Sequence, residues 1–297
     1  MEQAIDLHVH STCSDGTRTP KELVALANEC SLSAIALTDH DTVSGIEQMQ
    51  QLCAQNQIYF IPGIELSTEF TFPDHSITKE VHLLGFFINH TDPTLLSYLD
   101  QYRNNRITRN QQMIDKLSAH GLYISMEHLT ARYPDCIMTR AHIARYLFDT
   151  GQVKSMNEAF SKYIGDDACC YVSRQKVSTI DAIRLIHHAG GLAVLAHPPL
   201  YRLKAADLDF MVAQLAGNGL DGIESIYSTY HNSEEADMKA LAKKYGLLIS
   251  GGSDYHGSNK PYIHLGRGRG NLFVPYSVYE NLLKYHEQTQ SKIKQSK

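Results

Sequence analysis

The stretch spanning residues 5–17, "IDLHVHSTCSDGT", decides how the rest of the chain is read. It begins as an apolar run suited to a strand and then places His8 and His10 two positions apart. Side chains two apart in a strand point to the same face, so both imidazoles can reach one metal ion. Asp15 follows within reach of the turn, and Gly16 suits a tight closure of it. Buried strands rarely end by aiming two imidazoles the same way. The question is therefore which other residues converge on them.

Outward from that stretch, short apolar runs alternate with amphipathic segments of helix length. "AIDLHV" leads into "TPKELVALANEC", a predicted helix capped by Thr19 with Pro20 at its first position. "SAIALTDHD", "IYFIPGIELSTEF" (a strand pair or one long strand), "VHLLGFFI", "LAVLAH", "GIESIY" and "LLISGGSDYH" read as strands, with helices between most of them. Such alternation predicts an α/β fold with a parallel sheet closed, or nearly closed, into a barrel. The rhythm breaks from about 92 to 178, where helical patterns run on with no strand until "CCYVS" (169–173). The expected organisation is a first barrel part (1–91), a helical insertion covering the active site (92–178) and a second barrel part (179–297). The tail "HEQTQSKIKQSK" (286–297) reads as polar and frayed.

Composition narrows the class of function. With 297 residues and 43% of them apolar, the chain can bury a large core, and a net charge of −5 argues against a basic face that wraps duplex DNA. No apolar run is long enough to span a membrane, and "MEQAIDLHVH" lacks the pattern of a signal peptide, so the expected location is the cytoplasm. The six cysteines lack C-x-x-C spacing and read as free thiols. Cys13 is either a ligand or nucleophile, or a packed bystander; the vicinal pair Cys169–Cys170 suggests no role. His187 and His188 suit a helix C-terminus through the dipole alone.

The polar residues at the strand ends carry the chemistry. His8 and His10, His40 in "TDHD", Glu65 in "GIE", His82 in "EVHLLG", His197 in "LAH", and Asp254 and His256 in "GGSDYH" all fall there. In parallel α/β barrels the active site lies at the C-terminal strand ends. One such histidine is usually structural; a series in register is not. Six histidines with Asp15, Glu65 and Asp254 exceed what one zinc ion needs and suit two or three divalent ions, with Glu65 able to bridge two. Mixed imidazole and carboxylate donors favour Mn, Fe or Zn over Mg or Ca. Such a centre, locally positive, attracts a phosphate and activates water at neutral pH. Asp39 and Asp41 either orient His40 or cap the next helix.

Taken together, "HVHSTCSDG", "TDHD", "GIE", "AHP" and "GGSDYHG" resemble the motifs of the polymerase and histidinol phosphatase (PHP) family of the amidohydrolase superfamily, over residues 5 to about 270. The resemblance implies a distorted seven-stranded (β/α) barrel with a trinuclear metal centre. It implies His8, His10, Glu65 and Asp254 around a first metal, Glu65, His82 and His197 around a second, and Asp15, His40 and His256 around a third. Several family members carry a histidine where this chain has Asp15, which implies a more weakly held third ion here.

The insertion, with "TRAHIARYL" inside it, is similar to the PHP branch of nucleoside 3′,5′-bisphosphate phosphatases and RNase AM-type 5′-to-3′ exoribonucleases. That resemblance implies phosphoester hydrolysis of a small phosphorylated substrate, a nucleotide or the 5′ end of a short RNA. A hydroxide bridging the first two metals would attack phosphorus. Arg140 and His142 would reach the phosphate from the insertion and His231 in "STYHNSEE" from the opposite rim, either histidine serving as a proton donor. Arg103, Arg106 and Arg109, at three-residue steps on one helix, are either further phosphate contacts or a solvated face. Arg267 and Arg269 in "HLGRGRG" are either strand-end loop residues or substrate contacts. Rival readings are a phosphatase for histidinol phosphate or another sugar phosphate, and a non-catalytic metal-binding module.

Overall fold

The computed structural model describes residues 3–73, 77–134, 136–166, 168–173, 176–231 and 233–295. The barrel is built from β1 (Ala4–Asp6), β2 (Leu32–Leu37), β3 (Tyr59–Thr71), β4 (Thr78–Phe86), β6 (Leu192–Leu195), β7 (Gly222–Tyr227) and β8 (Leu248–Gly252), adjacent in that order, while β5 (Val177–Ser178) pairs with β3. The ends of this sheet meet. The Leu7 N–H donates to the Gly251 carbonyl (3.3 Å), His10 N–H to the Tyr255 carbonyl (3.0 Å) and Asp254 N–H to the His8 carbonyl (2.8 Å). The buried Asp6 carboxylate reinforces the seam by accepting from the Ser253 and Gly266 N–H groups at 2.8 and 2.7 Å.

One strand departs from the expected all-parallel sheet. β4 runs antiparallel to both β3 and β6, whereas β1–β2–β3 and β6–β7–β8 are parallel. Only residues 72–77 separate β3 from β4, too few for a crossover, so the chain turns back as a hairpin. The expected strand at "CCYVS" is also displaced: Cys169 and Cys170 lie in a turn, and the short β5 follows at Val177–Ser178. The tail does not fray at 286, because the last helix, Tyr276–Gln295, runs through it.

Local signals account for the helices. In α1 (Pro20–Glu29), Thr19 and Glu22 form a reciprocal capping box with Pro20 at the first turn. α2 (Ile46–Gln55) buries Ile46, Met49 and Cys53. Between β4 and β5 lie α3 (Pro93–Ala119), α4 (Met126–Arg132), α5 (Arg140–Asp149) and the short α6 (Met156–Ala159), which continues as a π turn over Phe160–Ile164. α3 joins two apolar clusters: Leu95 and Leu99 pack with Leu66, Leu83 and Ile183 of the barrel, whereas Met113, Ile114 and Leu117 pack with Leu129, Ile143, Leu147 and Ile164. α7 (Thr179–His188), α8 (Ala205–Gly217) and α9 (Glu234–Tyr245) flank the later strands.

Candidate metal centre

His8 and His10 emerge directly beyond β1, His40 beyond β2, His197 beyond β6, and Asp254 and His256 beyond β8. Glu65 and His82 do not end their strands. Glu65 lies midway along β3, bridged to His40, and His82 lies midway along the reversed β4, opposite Ser67. The long β3–β4 hairpin extends past the barrel rim, so mid-strand residues reach the level that other strands reach at their ends. Gly16 closes the opening loop against His10. Its N–H donates to the Ser11 carbonyl (2.9 Å), and a Cβ there would lie 2.3 Å from the His10 carbonyl oxygen.

Glu65 is the hub. Its Oε2 lies 3.2 Å from His8 Nε2, 3.1 Å from His10 Nε2 and 3.3 Å from His40 Nδ1. Its Oε1 lies 2.9 Å from His82 Nδ1 and 3.1 Å from His197 Nε2. Asp254 Oδ1 stands 3.3 Å from His10 Nε2 and 3.2 Å from His256 Nδ1, and Asp15 Oδ1 stands 3.2 Å from His256 Nε2. All nine expected ligands thus meet in one buried cluster. Their donor atoms group as His8–His10–Asp254, His8–Glu65–His197, His40–Glu65–His82 and His10–Asp15–His40–His256, each set close enough to share one ion. Both ring nitrogens of His10, Asp15 Oδ1, His40 Nδ1 and His197 Nδ1 are buried without a hydrogen-bond partner. Buried polar atoms left so are costly, and divalent cations satisfy them. The donor set fits metal.

The charges are arranged for the same end. Burial pushes the Glu65 carboxyl up, but the imidazoles of His40, His8 and His82 outweigh it and hold the group well below its usual range. Asp15 and Asp254 are likewise held low against burial, Asp15 by His40 and His256, Asp254 by Lys260 and His256. Burial drives His40 down to about 3 and lowers His256, leaving both rings free to ligate.

Several supporting residues were not evident in the sequence. Glu224, fully buried on β7, lies 2.9 Å from His8 Nδ1 and accepts the His197 N–H at 2.8 Å. Asp254 Oδ2 accepts from the Tyr227 hydroxyl and the Lys260 ammonium, both at 2.5 Å. Glu224 and Tyr227 sit in "GIESIY", where a carboxylate interrupts an otherwise strand-like segment between Ile223 and Ile226; that charge within a buried strand was the available signal. Asp39 neither caps α2, whose N-cap is Gly45, nor pairs with His40: it accepts from Ser11 and Ser14, fixing the opening loop. Asp41 accepts from Ser67 and from the Arg106 guanidinium. The Cys13 side chain packs near Gly45 and Ser11, beside the centre rather than among the donor groups.

Above the cluster opens a cavity of about 340 Å³ whose wall includes Asp15, His40, His82 and His197 below and Arg109, Arg140, Tyr171 and Lys176 above. Arg140 binds Asp166 Oδ1 (2.6 Å), lies 3.6 Å from Glu80 Oε2 and stacks over Tyr171 at 5.3 Å. Lys176 reaches the same Glu80 oxygen at 2.8 Å. The other expected substrate residues fare differently. Arg106 touches the cavity but is buried and committed to Asp41, whereas Arg109 is buried in the cavity wall and Arg103 is exposed to solvent. His142 completes the α5 capping box, its Nδ1 accepting the Thr139 N–H (3.0 Å), and faces a separate cavity with Tyr133 and Cys136. His231 is exposed on the loop beyond β7 and does not line the cavity. Arg267 is exposed in a turn near Cys30, where α1 ends, away from the centre.

A profile of the PHP domain matches residues 6–169. The chain is 35% identical over 288 residues to the 5′-3′ exoribonuclease Rnm of Escherichia coli, covering 96% of this chain and 94% of that one. The chain belongs to the PHP family. A second PHP relative, the 3′,5′-nucleoside bisphosphate phosphatase of Chromobacterium violaceum, is 35% identical over 255 residues, 85% of this chain and 87% of its own. A solved structure from Bifidobacterium adolescentis, provisionally named a metal-dependent phosphoesterase, superposes with a TM-score of 0.80 at 28% identity, covering 95% of this chain and 96% of that one. The barrel is accordingly the distorted PHP barrel, and the buried His, Asp and Glu clusters support the use of divalent metal. Among the described residues, no helix is long and apolar enough to cross a membrane.

Proposed function

We propose that this PHP enzyme hydrolyses the phosphoester on the 3′ side of a 5′-phosphorylated nucleoside, either the 3′-phosphate of a nucleoside 3′,5′-bisphosphate or the first linkage at the 5′ end of a short RNA. One named relative is a 5′-3′ exoribonuclease and the other a 3′,5′-nucleoside bisphosphate phosphatase, and both names describe phosphoester hydrolysis. One observation carries the reading: Arg140 and Lys176 line the wall of a cavity whose floor is the His and carboxylate cluster. A cation pair facing a metal centre suits a substrate with a phosphate at each end, and a guanidinium grips phosphate oxygens two at a time.

Two or three ions of Mn, Fe or Zn type would be held by His8, His10, Glu65 and Asp254, by Glu65, His82 and His197, and by Asp15, His40 and His256. When bound, they supply Lewis acidity to a phosphoryl group. The protein's own part is positioning. Glu65 draws five imidazoles to one point, Glu224 fixes the ring of His8, and Glu80 holds Arg140 and Lys176 at the cavity wall. Arg140 and Lys176 offset the negative charge of the substrate phosphate, and Tyr171 offers a ring face beside them.

The test is phosphate or nucleotide release by the purified chain with Mn²⁺, comparing a nucleoside 3′,5′-bisphosphate, a 5′-phosphorylated short RNA and histidinol phosphate. Faster turnover of histidinol phosphate would overturn the substrate class. Absence of metal-dependent release from all three would overturn catalysis.

A further inference from the structure

Far from the catalytic cluster, a second group of soft donors meets at the far end of α3. His120 is the C-cap of that helix, and Cys169 and Cys170 lie in the turn that follows the π turn. Cys170 Sγ lies 3.5 Å from His120 Nδ1 and 3.7 Å from Cys169 Sγ. All three donor atoms fall within one ion's reach of each other. For a tetrahedral zinc ion, bonds of about 2.3 Å to sulfur and about 2.05 Å to nitrogen separate two sulfurs by about 3.7 Å and a sulfur from a nitrogen by about 3.5 Å. Both spacings from Cys170 match that edge geometry, and the Cys169–His120 pair falls within 4.8 Å.

We propose that His120, Cys169 and Cys170 form a structural binding site for a thiophilic divalent cation of the zinc class, with the fourth position open to solvent. Cys169 and His120 are exposed, so an ion can enter, while Cys170 is fully buried in the apolar cluster of the insertion. His120 Nδ1 now faces the Lys116 carbonyl at 2.8 Å, and releasing it to a metal leaves that carbonyl satisfied by the His120 backbone N–H at 3.2 Å. Cys169 Sγ gives up only a 3.3 Å contact to the Lys162 carbonyl. Thiolates select zinc-class ions over manganese, so one chain holds two chemically distinct kinds of metal site. The ion would tie the end of α3 to the segment that carries Asp166 and Tyr171, the partners of Arg140.

Cobalt tests the proposal without interference from the catalytic centre, whose donors are all nitrogen and oxygen. The full chain, stripped with a chelator and kept reduced, is titrated with Co²⁺ and followed by near-ultraviolet absorption. The expected result is a thiolate-to-cobalt charge-transfer band that saturates, once the nitrogen and oxygen centre has also filled, at the intensity of one cobalt–thiolate site per chain; it is reversed by Zn²⁺, absent in Cys169→Ser and diminished in His120→Ala. Both substitutions fall at exposed positions, and circular dichroism checks the fold. In the unsubstituted chain, Zn²⁺ should also slow alkylation of Cys169 as read by mass spectrometry. No band in the fully loaded protein, a band that persists in Cys169→Ser, or alkylation unaffected by Zn²⁺ would each overturn the proposal.

Discussion

Glu224 Oε1 stands 2.9 Å from Nδ1 of His8, on the side of the ring opposite Glu65, and its other oxygen accepts the backbone N–H of His197. One buried carboxylate thereby fixes the tautomer of one ligand, leaving His8 Nε2 aimed at the centre, and the backbone of another. Groups in this position tune metal affinity by about tenfold to a hundredfold. Glu224→Ala should weaken metal binding by that factor, and Glu224→Gln by less. Titration of the chelated protein, read against activity at saturating metal, separates lost affinity from lost turnover.

Asp254 and His10 belong to the centre itself. Asp254→Asn or His10→Ala should bring metal-dependent turnover to background while circular dichroism and the unfolding midpoint change little. Turnover that survives either change contradicts the assignment of the centre.

Arg140 should act on substrate rather than on metal. Loss of a charged hydrogen bond of about 1.5–3 kcal/mol predicts a fall in kcat/KM of about tenfold to a hundredfold for Arg140→Ala, with metal affinity unchanged. Arg140→Lys should not restore it, because a lysine lacks the fork that meets Asp166, Glu80 and a phosphate together.

Arg106 should behave oppositely. It and Asp41 are both buried, and removing one partner strands a charge, which costs about 3–5 kcal/mol. Arg106→Ala should therefore lower stability in urea by that amount, whereas Arg106→Met with Asp41→Asn should recover much of it. A phosphate-gripping Arg106 would instead raise KM and leave stability intact.

Metal loading should release protons. Burial pushes His8, His10 and His82 down, but carboxylates win: Glu224 and Glu65 raise His8 well above its usual value, Asp254 and Glu65 take His10 up to about 9, and Glu65 takes His82 up to about 9. In the metal-free protein these rings are charged at pH 7, and each must lose a proton to ligate. Metal affinity should rise with pH until about 9, and calorimetry in buffers of different ionisation enthalpy should detect the release. The sign for the metal-free fold is the reverse. Its gain from the raised groups is full below about 6.5 and fades as pH rises through about 9.

The convergence of the nine candidate ligands was legible largely because a strand of period two, ended by polar residues, leaves a regular trace, although Glu65 and His82 lie within their strands rather than at the ends. His8 with His10 and Asp254 with His256 show it most clearly. The reversal of β4 was less visible, since an apolar run carries no direction. The short spacer 72–77 was the available clue. The roles of Arg106 and His142 were hidden for another reason. A helix pattern shows that two residues share a face but not what the face meets: Asp41 lies 65 positions from Arg106, and the capping spacing of Thr139 and His142 carries a histidine where a capping box usually has Glu or Gln. Backbone conformation was invisible too: Asp41, His197 and Asp254 at the site adopt positive φ without being glycine, as do Ser31, Gln57, Phe87 and Arg202 elsewhere.

The reversed strand has a mechanical consequence. Because β4 heads away from the centre, the chain leaves the barrel at the closed end, and α3 begins there, with Thr94 beside His188 at the tail of α7. It then climbs past Ser67 through Tyr102, past Asp41 through Arg106, and reaches Met138 through Asn110. Twenty-seven residues at about 1.5 Å each make a rod of about 40 Å. That rod is a ruler. It spans both apolar clusters, so the height at which α4, α5 and the π turn stand over the barrel is set by the length of one helix.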